Sequence, residues 1–447
     1  MATAICGWLR RRGVRVAPFK AQNMSNNSCP CPGGGEIGRA QVAQAEACGL
    51  EPSVDMNPVL LKPTSAMGSQ VVVQGKVWRN LSAREYYEQH EYLREKVDES
   101  YARLAAAHEF IVIEGAGSIA ELNLRQTDLV NLGFAGRHDI PALLVADIDR
   151  GGVFASVFGT IELLAPAERE LVRAFAINRF RGDPSLFASG VKLLEEKTGK
   201  PCLGVFPFLE NVRLDEEDSV SLDTPPASAS QIAAIRFSRI SNFTDFHLLP
   251  VVWIDRAKDR KFKVVILPGS KNTIADLAWM RAQRLDSWVL EQHAAGARII
   301  GICGGYQMLG ERVEDPSGIE TEGGASVEGL RLLPVTSTLL EQKVTRTVNA
   351  HSRGGHSFQA YEIHMGETTR LAEAPCFAYL EGVPEGIEWN GCIGTYLHGA
   401  LEDPVVIEEY LGYQAPAEAG KAEVYDRLAD WFTESADCAF FERAFLM

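Results

Sequence analysis

The sequence predicts an α/β protein of two consecutive domains, each built around a parallel β-sheet. Short apolar strands alternate with helical stretches along the chain, which is the pattern of parallel strands joined by crossover helices. Several of these strands run directly into loops rich in glycine and carboxylates, and in such sheets ligands bind at the carboxyl ends of the strands. A length of 447 residues allows two or three domains of ordinary size.

The first predicted domain spans residues 1–225. Apolar runs at 110–113 and 142–146 predict buried strands, and each continues into a loop that starts with a carboxylate, Glu114 and Asp147 respectively. Residues 85–108 predict a charged amphipathic helix on the surface.

An acidic stretch at 215–218 and a Pro/Ser-rich stretch at 224–228 predict the domain boundary. The second predicted domain spans residues 232–447. It begins a new α/β pattern, with strands expected at 232–237, 264–267 and 298–302.

Composition excludes several classes of function. A formal net charge of −15 argues against a nucleic-acid partner, because phosphate binding requires a basic face. No apolar run of about 18 residues predicts a membrane span, and the N-terminus does not have the order of a secretory signal. The 9 cysteines follow no pairing pattern or metal-ligand spacing, which favours reduced thiols in a cytoplasmic protein and predicts no metal site.

Residues 298–307 (RIIGICGGYQ) predict a nucleophilic cysteine. Gly301 and Gly305 stand two residues before and after Cys303, so the backbone can make a sharp turn from strand to helix and expose the sulfur. The dipole of the following helix favours the thiolate form.

A base and an oxyanion site are predicted from two further segments. Residues 394–399 (GTYLHG) place His398 at a strand end, 95 positions after the cysteine, so that only the fold can bring the two together. Residues 266–273 (ILPGSKNT) form a strand ending in a glycine turn. Backbone N–H groups around Gly269 and Gly304 are expected to receive the oxyanion of a tetrahedral intermediate.

These three segments, in this order, resemble a class I, triad-type glutamine amidotransferase domain with a flavodoxin-like fold. The resemblance implies that Cys303 hydrolyses glutamine through a thioester and that ammonia is released inside the protein. Many members carry Glu two residues after the histidine, where this chain has Ala400. The cobalamin-pathway branch is similar in lacking that acid, so a Cys–His dyad is expected, with Glu402 and Asp403 nearby but neither selected by spacing. That branch also has a segment like residues 360–366, in which His364 has either a site role or a structural one, with Glu362 as its candidate partner.

The N-terminal half extends the resemblance to essentially the whole chain, and on it the chain is identified as a member of the cobyric acid synthase family. The matching segments are 16–28 (VAPFKAQNMSNNS), 34–41 (GGEIGRAQ), 57–63 (NPVLLKP), 114–118 (EGAGS), 147–154 (DIDRGGVF) and 178–183 (NRFRGD).

The resemblance implies an ATP- and Mg²⁺-dependent amidation of carboxylates b, d, e and g of (adenosyl)cobyrinic acid a,c-diamide, with glutamine as the nitrogen source. A carboxylate is first phosphorylated and then attacked by ammonia, which requires cations on the phosphates and carboxylates around Mg²⁺. The candidates for ATP, Mg²⁺ or substrate are Lys20, Asn23, Glu36, Arg39, Glu114 and Asp147. Each of them alone is equally compatible with a capping or solvated role.

The family resembles dethiobiotin synthetase, a P-loop fold whose first strand leads into a loop ending in Gly-Lys-Ser/Thr that cradles phosphates. This sequence has no such loop, and residues 2–12 match the helix that follows it. We therefore expect a P-loop domain that lacks its first strand and phosphate loop, through truncation of the chain as given.

Two other functions stay open at this stage. One is the related cobyrinic acid a,c-diamide synthase, although residues 23–28 and 147–152 favour cobyric acid synthase. The other is a non-catalytic or glutaminase-only relative that has lost ATP chemistry. The presence of both Cys303 and His398 argues against a pure binding protein.

Overall fold

The computed structural model describes residues 1–64, 68–210, 212, 230–416 and 420–446. The acidic and Pro/Ser-rich stretches predicted to form the domain boundary, residues 215–218 and 224–228, lie outside the described residues. None of the described helices combines the length and the apolar character that crossing a bilayer requires.

The N-terminal half alternates strands and helices as predicted. The helices are α1 (Ala2–Arg11), α2 (Arg39–Cys48), α3 (Ala83–Glu88), α4 (His90–Ala107), α5 (Leu132–Arg137), α6 (Val153–Leu163), α7 (Pro166–Leu171) and α8 (Ala188–Thr198). The strands are β1 (Val16–Phe19), β2 (Gln22–Met24), β3 (Ser28–Pro30), β4 (Glu36–Gly38), β5 (Val59–Pro63), β6 (Gly68–Val73), β7 (Lys76–Ser82), β8 (Phe110–Ile113), β9 (Ala142–Asp147), β10 (Val172–Phe180) and β11 (Cys202–Pro207). The predicted surface helix at 85–108 is thus divided into α3 and α4.

The parallel sheet of this half consists of two separate pieces. Among the described strands, β1 pairs only with β8, and β9, β10 and β11 form a three-stranded parallel sheet. A second, mainly antiparallel sheet has the order β2-β5-β6-β7, and β3 and β4 form a small antiparallel pair.

A cavity of about 870 Å³ lies between the free edges of β8 and β9, and it is lined by all four residues of β8 and by Ala142–Ala146 of β9. The start of α1 also lines it, through Met1, Ala2 and Thr3. The described chain places no strand between these two edges. Half-buried and exposed side chains on β9, a strand predicted to be buried, reflect this open edge.

The C-terminal half holds a second parallel sheet and a long β-hairpin. Its helices are α9 (Thr273–Ala282), α10 (Leu285–Ala294), α11 (Gly304–Leu309), α12 (Pro404–Leu411), α13 (Lys421–Ser435) and α14 (Cys438–Phe441). Its strands are β12 (Ile232–Ile235), β13 (Ile240–Ser241), β14 (Val251–Ile254), β15 (Val264–Leu267), β16 (Gly269–Ser270), β17 (Arg298–Ile302), β18 (Arg312–Asp315), β19 (Ala325–Glu328), β20 (Val335–Ser352), β21 (Ser357–Arg370), β22 (Ala378–Leu380), β23 (Val383–Glu385), β24 (Ile387–Trp389) and β25 (Cys392–Thr395).

The main sheet has the order β14-β12-β15-β17-β25-β24, and only β24 runs antiparallel. Strands β12 and β15 are buried along their whole length, as expected of apolar runs covered on both faces. In the register, Leu267 lies beside Gly301 and Ile302 lies beside Thr395. The segments that follow β15, β17 and β25 therefore meet at one edge of the sheet.

The last helices return to the N-terminal half. Helix α13 packs on α1, and Phe432 lies with its ring centroid 5.2 Å from that of Trp8. Phe441 of α14 contacts the same Trp8 ring edge-on at 5.4 Å. Residues 421–446, which the predicted second domain includes, thus share a hydrophobic core with the first domain.

Candidate active site

Cys303 lies on a strained turn between β17 and α11. Its backbone has φ 52° and ψ −110°, a conformation that residues other than glycine rarely adopt. The thiol is buried, and its Sγ lies 3.6 Å from the carbonyl oxygen of Ile363. The predicted sharp turn from strand to helix is therefore present, and strain of this kind is typical of functional residues.

Two glycines make this turn sterically feasible. A Cβ on Gly305 would stand 1.9 Å from the carbonyl oxygen of Leu267, and a Cβ on Gly301 would stand 2.6 Å from that of Gly305. Helix α11 therefore packs directly on the backbone of the neighbouring strand β15, and the two positions beside Cys303 leave no space for a side chain.

His398 follows β25 at the same edge of the sheet, and Asp245 orients its ring. The Nδ1 atom lies 2.7 Å from Asp245 Oδ2, and both side chains are 1% exposed. The other carboxylate oxygen accepts a hydrogen bond of 3.0 Å from the N–H of Gly399. Nε2 has no hydrogen-bond partner within the described residues, so it is the ring atom available to the thiol.

Nearby charge and burial shift the pKa of His398 in opposite directions. Burial lowers its pKa, but the Asp245 carboxylate and then the Cys303 thiol outweigh that effect and raise the pKa of His398 to about 10. An imidazole that is readily protonated beside a thiol favours the charged pair of thiolate and imidazolium.

The expected Cys–His dyad is thus extended by a third residue, Asp245. Neither of the acids considered from the sequence fills this place, because Glu402 pairs with Arg39 at 2.5 Å and Asp403 with His356 at 3.0 Å. Asp245 lies more than 150 residues before the histidine, in a short 3-10 turn, and no motif in the sequence connects the two.

The candidate oxyanion segments also converge here. A Cβ on Gly269 would stand 3.2 Å from Cε1 of His398, and one on Gly304 would stand 2.9 Å from the backbone nitrogen of Ser270. Backbone atoms of β16 and of the α11 start therefore border the reacting groups. The assignment of Gly269 and Gly304 to the oxyanion remains a prediction.

A polar cavity of about 430 Å³ opens onto Cys303 from the side of the N-terminal domain. His364 lines it, with Nδ1 2.7 Å from the carbonyl oxygen of Gly366 and Nε2 3.4 Å from Glu362. Its ring stacks on Tyr396 with centroids 3.9 Å apart. The expected partner Glu362 is present, and both ring nitrogens have contacts, so His364 borders the site without a free nitrogen directed at the thiol.

Four of the six N-terminal candidates fall into two separate groups. The first is at the carboxyl ends of β1 and β8, where Lys20 pairs with Glu114 at 3.3 Å and Gln44 donates to the same carboxylate. The second is at the contact between the two halves. There Glu36 binds Lys62 at 2.7 Å and also Lys343, and Arg39 binds Glu402.

The other two candidates lie outside these groups. Asn23 donates a hydrogen bond of 2.8 Å to Gln41 in the interior. Asp147 ends β9 and accepts from the N–H of Asp149 at 2.9 Å, with Arg179 3.6 Å away. The described structure does not bring the six residues to one site, although Glu114 and Asp147 both stand at strand ends as expected.

The residues present do not by themselves form a triphosphate site. At the carboxyl end of β8, Glu114 is paired with Lys20. The described residues include no glycine-rich loop ending in Gly-Lys-Ser/Thr, and no three of their His, Cys, Asp or Glu side chains cluster as metal ligands do. We therefore derive no phosphoryl-transfer step from these side chains.

Comparison with known proteins identifies both halves. Residues 1–222 match the CobQ/CobB/MinD/ParA nucleotide binding domain, and residues 231–405 match the CobB/CobQ-like glutamine amidotransferase domain. A cobyric acid synthase of Syntrophobacter fumaroxidans is 43% identical over 98% of this chain and 94% of its own length. The chain belongs to the cobyric acid synthase family.

Other family members match equally broadly. The cobyric acid synthase of Parabacteroides distasonis is 45% identical over 98% of this chain and 94% of that protein. The cobyric acid synthase of Phocaeicola vulgatus is 44% identical over 96% of this chain and 92% of that protein. The predicted fold class and family are thus confirmed, and the chain is a glutamine-hydrolysing amidotransferase of the ligase type.

Proposed function

We propose that this chain makes cobyric acid by amidating carboxylates b, d, e and g of (adenosyl)cobyrinic acid a,c-diamide, with glutamine, ATP and Mg²⁺. The observation that carries the proposal is sequence identity above 40% along both domains with proteins of that name. The cysteine, histidine and aspartate at the edge of the C-terminal sheet supply the chemistry of the ammonia-forming half.

In that half, the Cys303 thiolate attacks the side-chain amide carbon of glutamine, after His398 has taken the thiol proton. The tetrahedral intermediate collapses to a thioester, and the imidazolium gives its proton to the departing ammonia. Water, deprotonated by His398, then hydrolyses the thioester to glutamate and restores the thiol. Asp245 keeps the ring in place and stabilises its charged form throughout.

In the other half, ATP, when bound, would supply the phosphoryl group that turns a carboxylate into an electrophile. Lys20, Glu114 and Asp147 are the candidates nearest to strand ends for binding the substrate, the nucleotide or Mg²⁺. Ammonia has to cross between the halves without mixing with bulk water. The close contact made by Ser28 N–H with Asn242 Oδ1 at 3.0 Å, and by Arg239 with the carbonyl oxygen of Thr64 at 2.7 Å, is compatible with this requirement.

The test incubates the chain with cobyrinic acid a,c-diamide, Mg-ATP and either glutamine or ammonium, and counts added amides by mass spectrometry. Four added amides are expected. In a parallel incubation with cobyrinic acid as the substrate, its conversion to the diamide would identify an a,c-diamide synthase instead.

A second candidate, a glutaminase that has lost ATP chemistry, is favoured by one observation. The 870 Å³ cavity between β8 and β9 divides the sheet of the nucleotide-binding half. Release of glutamate from glutamine without amidation from either nitrogen source would support this candidate and contradict the first.

Replacing the nucleophile separates the two half-reactions. We expect Cys303→Ser to abolish glutamine-dependent amidation and to leave ammonium-dependent amidation unchanged, because free ammonia bypasses the thioester. Amide counts with each nitrogen source measure the effect. Loss of both activities in a folded variant would contradict separate sites.

A further inference from the structure

The cavity in front of Cys303 is built by both halves of the chain. Lys62 of β5, Gln70 of β6 and Asn80 of β7 line it, and these three residues stand directly opposite one another across neighbouring strands. Lys271, Cys303 and Lys343 line it from the C-terminal half. A volume of about 430 Å³ is within the range of small-molecule sites.

Among the described residues, one cation that lines this cavity makes no hydrogen bond or ion pair. The ammonium groups of Lys62 and Lys343 both bind Glu36, whereas no hydrogen bond or ion pair joins the Lys271 ammonium to any residue in the described ranges. Burial, and then the nearby Lys343 and Lys62, lower the pKa of Lys271 to about 7. An anion bound beside the Lys271 ammonium would counter both effects, because it would pair the buried charge and offset the repulsion from the other two lysines.

Two acceptors in the same cavity also lack partners. The side-chain oxygen of Gln70, a residue only 4% exposed, makes no hydrogen bond within the described chain, and neither does Oδ1 of Asn26. Buried amide oxygens are normally satisfied, so two unpaired oxygens on residues that line a cavity indicate a ligand with donors in that cavity.

These groups match the amino-acid end of glutamine. We propose that Lys271 binds the α-carboxylate of glutamine and that Gln70 and Asn26 accept hydrogen bonds from its α-ammonium group, while the side-chain amide reaches Cys303. The proposal rests on the glutaminase activity proposed above. It makes the glutamine site a shared one, because the carboxylate ligand comes from the C-terminal half and the ammonium ligands come from the N-terminal half.

The excess of positive charge favours this orientation. Lys62 and Lys343 share the single carboxylate of Glu36, and Lys271 adds a further cation. Glu320 also lines the cavity and attracts Lys271, but burial raises the pKa of Glu320 to about 7, so its carboxylate offsets this positive charge only in part. A carboxylate is therefore best placed near Lys271, and a cation near the neutral amides of the N-terminal sheet.

The test compares three amides as substrates for glutaminase activity in the full chain. Glutamine has both head groups, 4-aminobutanamide lacks the α-carboxylate, and glutaramic acid lacks the α-amino group. Ammonia release gives kcat and KM for each, in the wild type and in Lys271→Met and Gln70→Leu.

Each variant is expected to lose recognition of one head group only. Lys271→Met should lower kcat/KM about 10- to 100-fold for glutamine and glutaramic acid, mainly through KM, and should not change it for 4-aminobutanamide. Gln70→Leu should have a similar effect on glutamine and 4-aminobutanamide and none on glutaramic acid. Lys263→Met, at a lysine outside the cavity, is the matched control and should change none of the three.

The assignment would be overturned if either variant lost kcat/KM equally for all three substrates, lost kcat at constant KM, or lost no activity. If Lys271→Met does not fold, Lys271→Gln provides the same comparison, and Lys271→Arg should restore most of the preference for a carboxylate. A wild-type chain that releases no ammonia from glutamine would instead reject the glutaminase activity itself.

Discussion

Asp245 shows how a single side chain sets the chemistry of the site. It contacts the His398 ring, the backbone N–H of Gly399 and, at 3.4 Å, the hydroxyl of Tyr361. The carboxylate thus holds both the ring and the loop that carries it. Because it stabilises the imidazolium, it favours the thiolate of Cys303 as well, and the ion pair is the reactive state of a cysteine nucleophile.

Replacing that carboxylate by an amide tests its role. We expect Asp245→Asn to lower kcat for glutamine hydrolysis about 10²- to 10⁴-fold, because the ring loses its orientation and its charge partner. Only the Cys303 thiol then opposes the effect of burial, so the pKa of His398 falls from the value of about 10 in the wild type. The protonated ring is needed to release ammonia, so the alkaline limb of the glutaminase pH profile should move to lower pH.

Steady-state rates of glutamine hydrolysis between pH 6 and 11, a window that includes the wild-type pKa of about 10, measure the position of the alkaline limb. Asp255→Asn, at an exposed carboxylate that pairs with Arg256, is the control and should leave the profile unchanged. An alkaline limb at the same pH in Asp245→Asn would show that this carboxylate does not set the pKa of His398.

At the scale of elements, the site depends on how closely α11 approaches β15. A parallel sheet brings the carboxyl ends of β15, β17 and β25 to one edge, and the glycines around Cys303 allow the helix to pack on the strand backbone. The long hairpin of β20 and β21 then covers the thiol, since Ile363 of β21 contacts Sγ.

A methyl group at Gly305 should break this contact. We expect Gly305→Ala to lower the free energy of unfolding by about 3 kcal/mol or more, because its Cβ would overlap the Leu267 carbonyl oxygen and α11 would have to move. Glutaminase activity should fall with it, since Cys303 moves with the helix. Urea denaturation and ammonia release measure the two effects.

Gly159 is the matched control, because it lies inside helix α6 and no atom of the described residues comes within 4 Å of an added Cβ. Gly159→Ala should raise stability by about 0.5–1 kcal/mol through helix propensity alone. A Gly305→Ala variant with wild-type stability would mean that α11 does not need this close approach.

At the scale of the whole molecule, buried charges connect the two halves. Glu36 is 1% exposed and lies between Lys62 of the N-terminal half and Lys343 of the C-terminal half. Burial raises the pKa of Glu36, but Lys343 and Lys62 outweigh it and hold that pKa well below its ordinary range. Because the carboxylate is more acidic in the folded state, it stabilises the fold above pH about 4.5 and loses this effect as the pH falls further.

Removing the Glu36 charge leaves the ammonium groups of the buried Lys62 and the partly buried Lys343 without their carboxylate partner. We expect Glu36→Gln to lower the free energy of unfolding at pH 7 by about 3–5 kcal/mol. Urea denaturation at pH 7 and at pH 4 measures this loss, and the difference in unfolding free energy between the variant and the wild type should be smaller at pH 4. Glu162→Gln breaks only a surface pair with Arg169 and should have no measurable effect. Equal midpoints for Glu36→Gln and wild type would contradict a structural role of the cluster.

The C-terminal helices connect the halves a second time, through the aromatic cluster of Trp8, Phe432 and Phe441. We expect Phe432→Ala, at a fully buried ring, to cost about 3–5 kcal/mol. Trp8→Ala should cost a similar amount, and the double variant should cost less than the sum because both remove the same contact. Leu290→Ala, at an exposed position of α10, is the control for thermal melts. Additive losses would show that the two rings do not interact.

The sequence by itself determined the features that depend on local pattern. Apolar runs ending in glycine turns predicted the strands, and the small residues around Cys303 predicted its turn, because both follow from sterics within a few residues. The family followed from motifs spread along the chain, and the comparisons confirmed it.

The tertiary structure alone decided which distant residues meet. Asp245 lies in a 3-10 turn far from His398 in sequence, and no spacing rule connects them; the sheet order brings them within 2.7 Å. Glu36 and Arg39, candidates for the same site as Lys20, lie instead at the contact between the halves, because β3, β4 and the start of α2 pack towards the glutaminase domain. Long-range packing also returns α13 to the first domain. In each case the partner is chosen by burial and charge pairing between elements, and these energies do not appear in any local stretch of sequence.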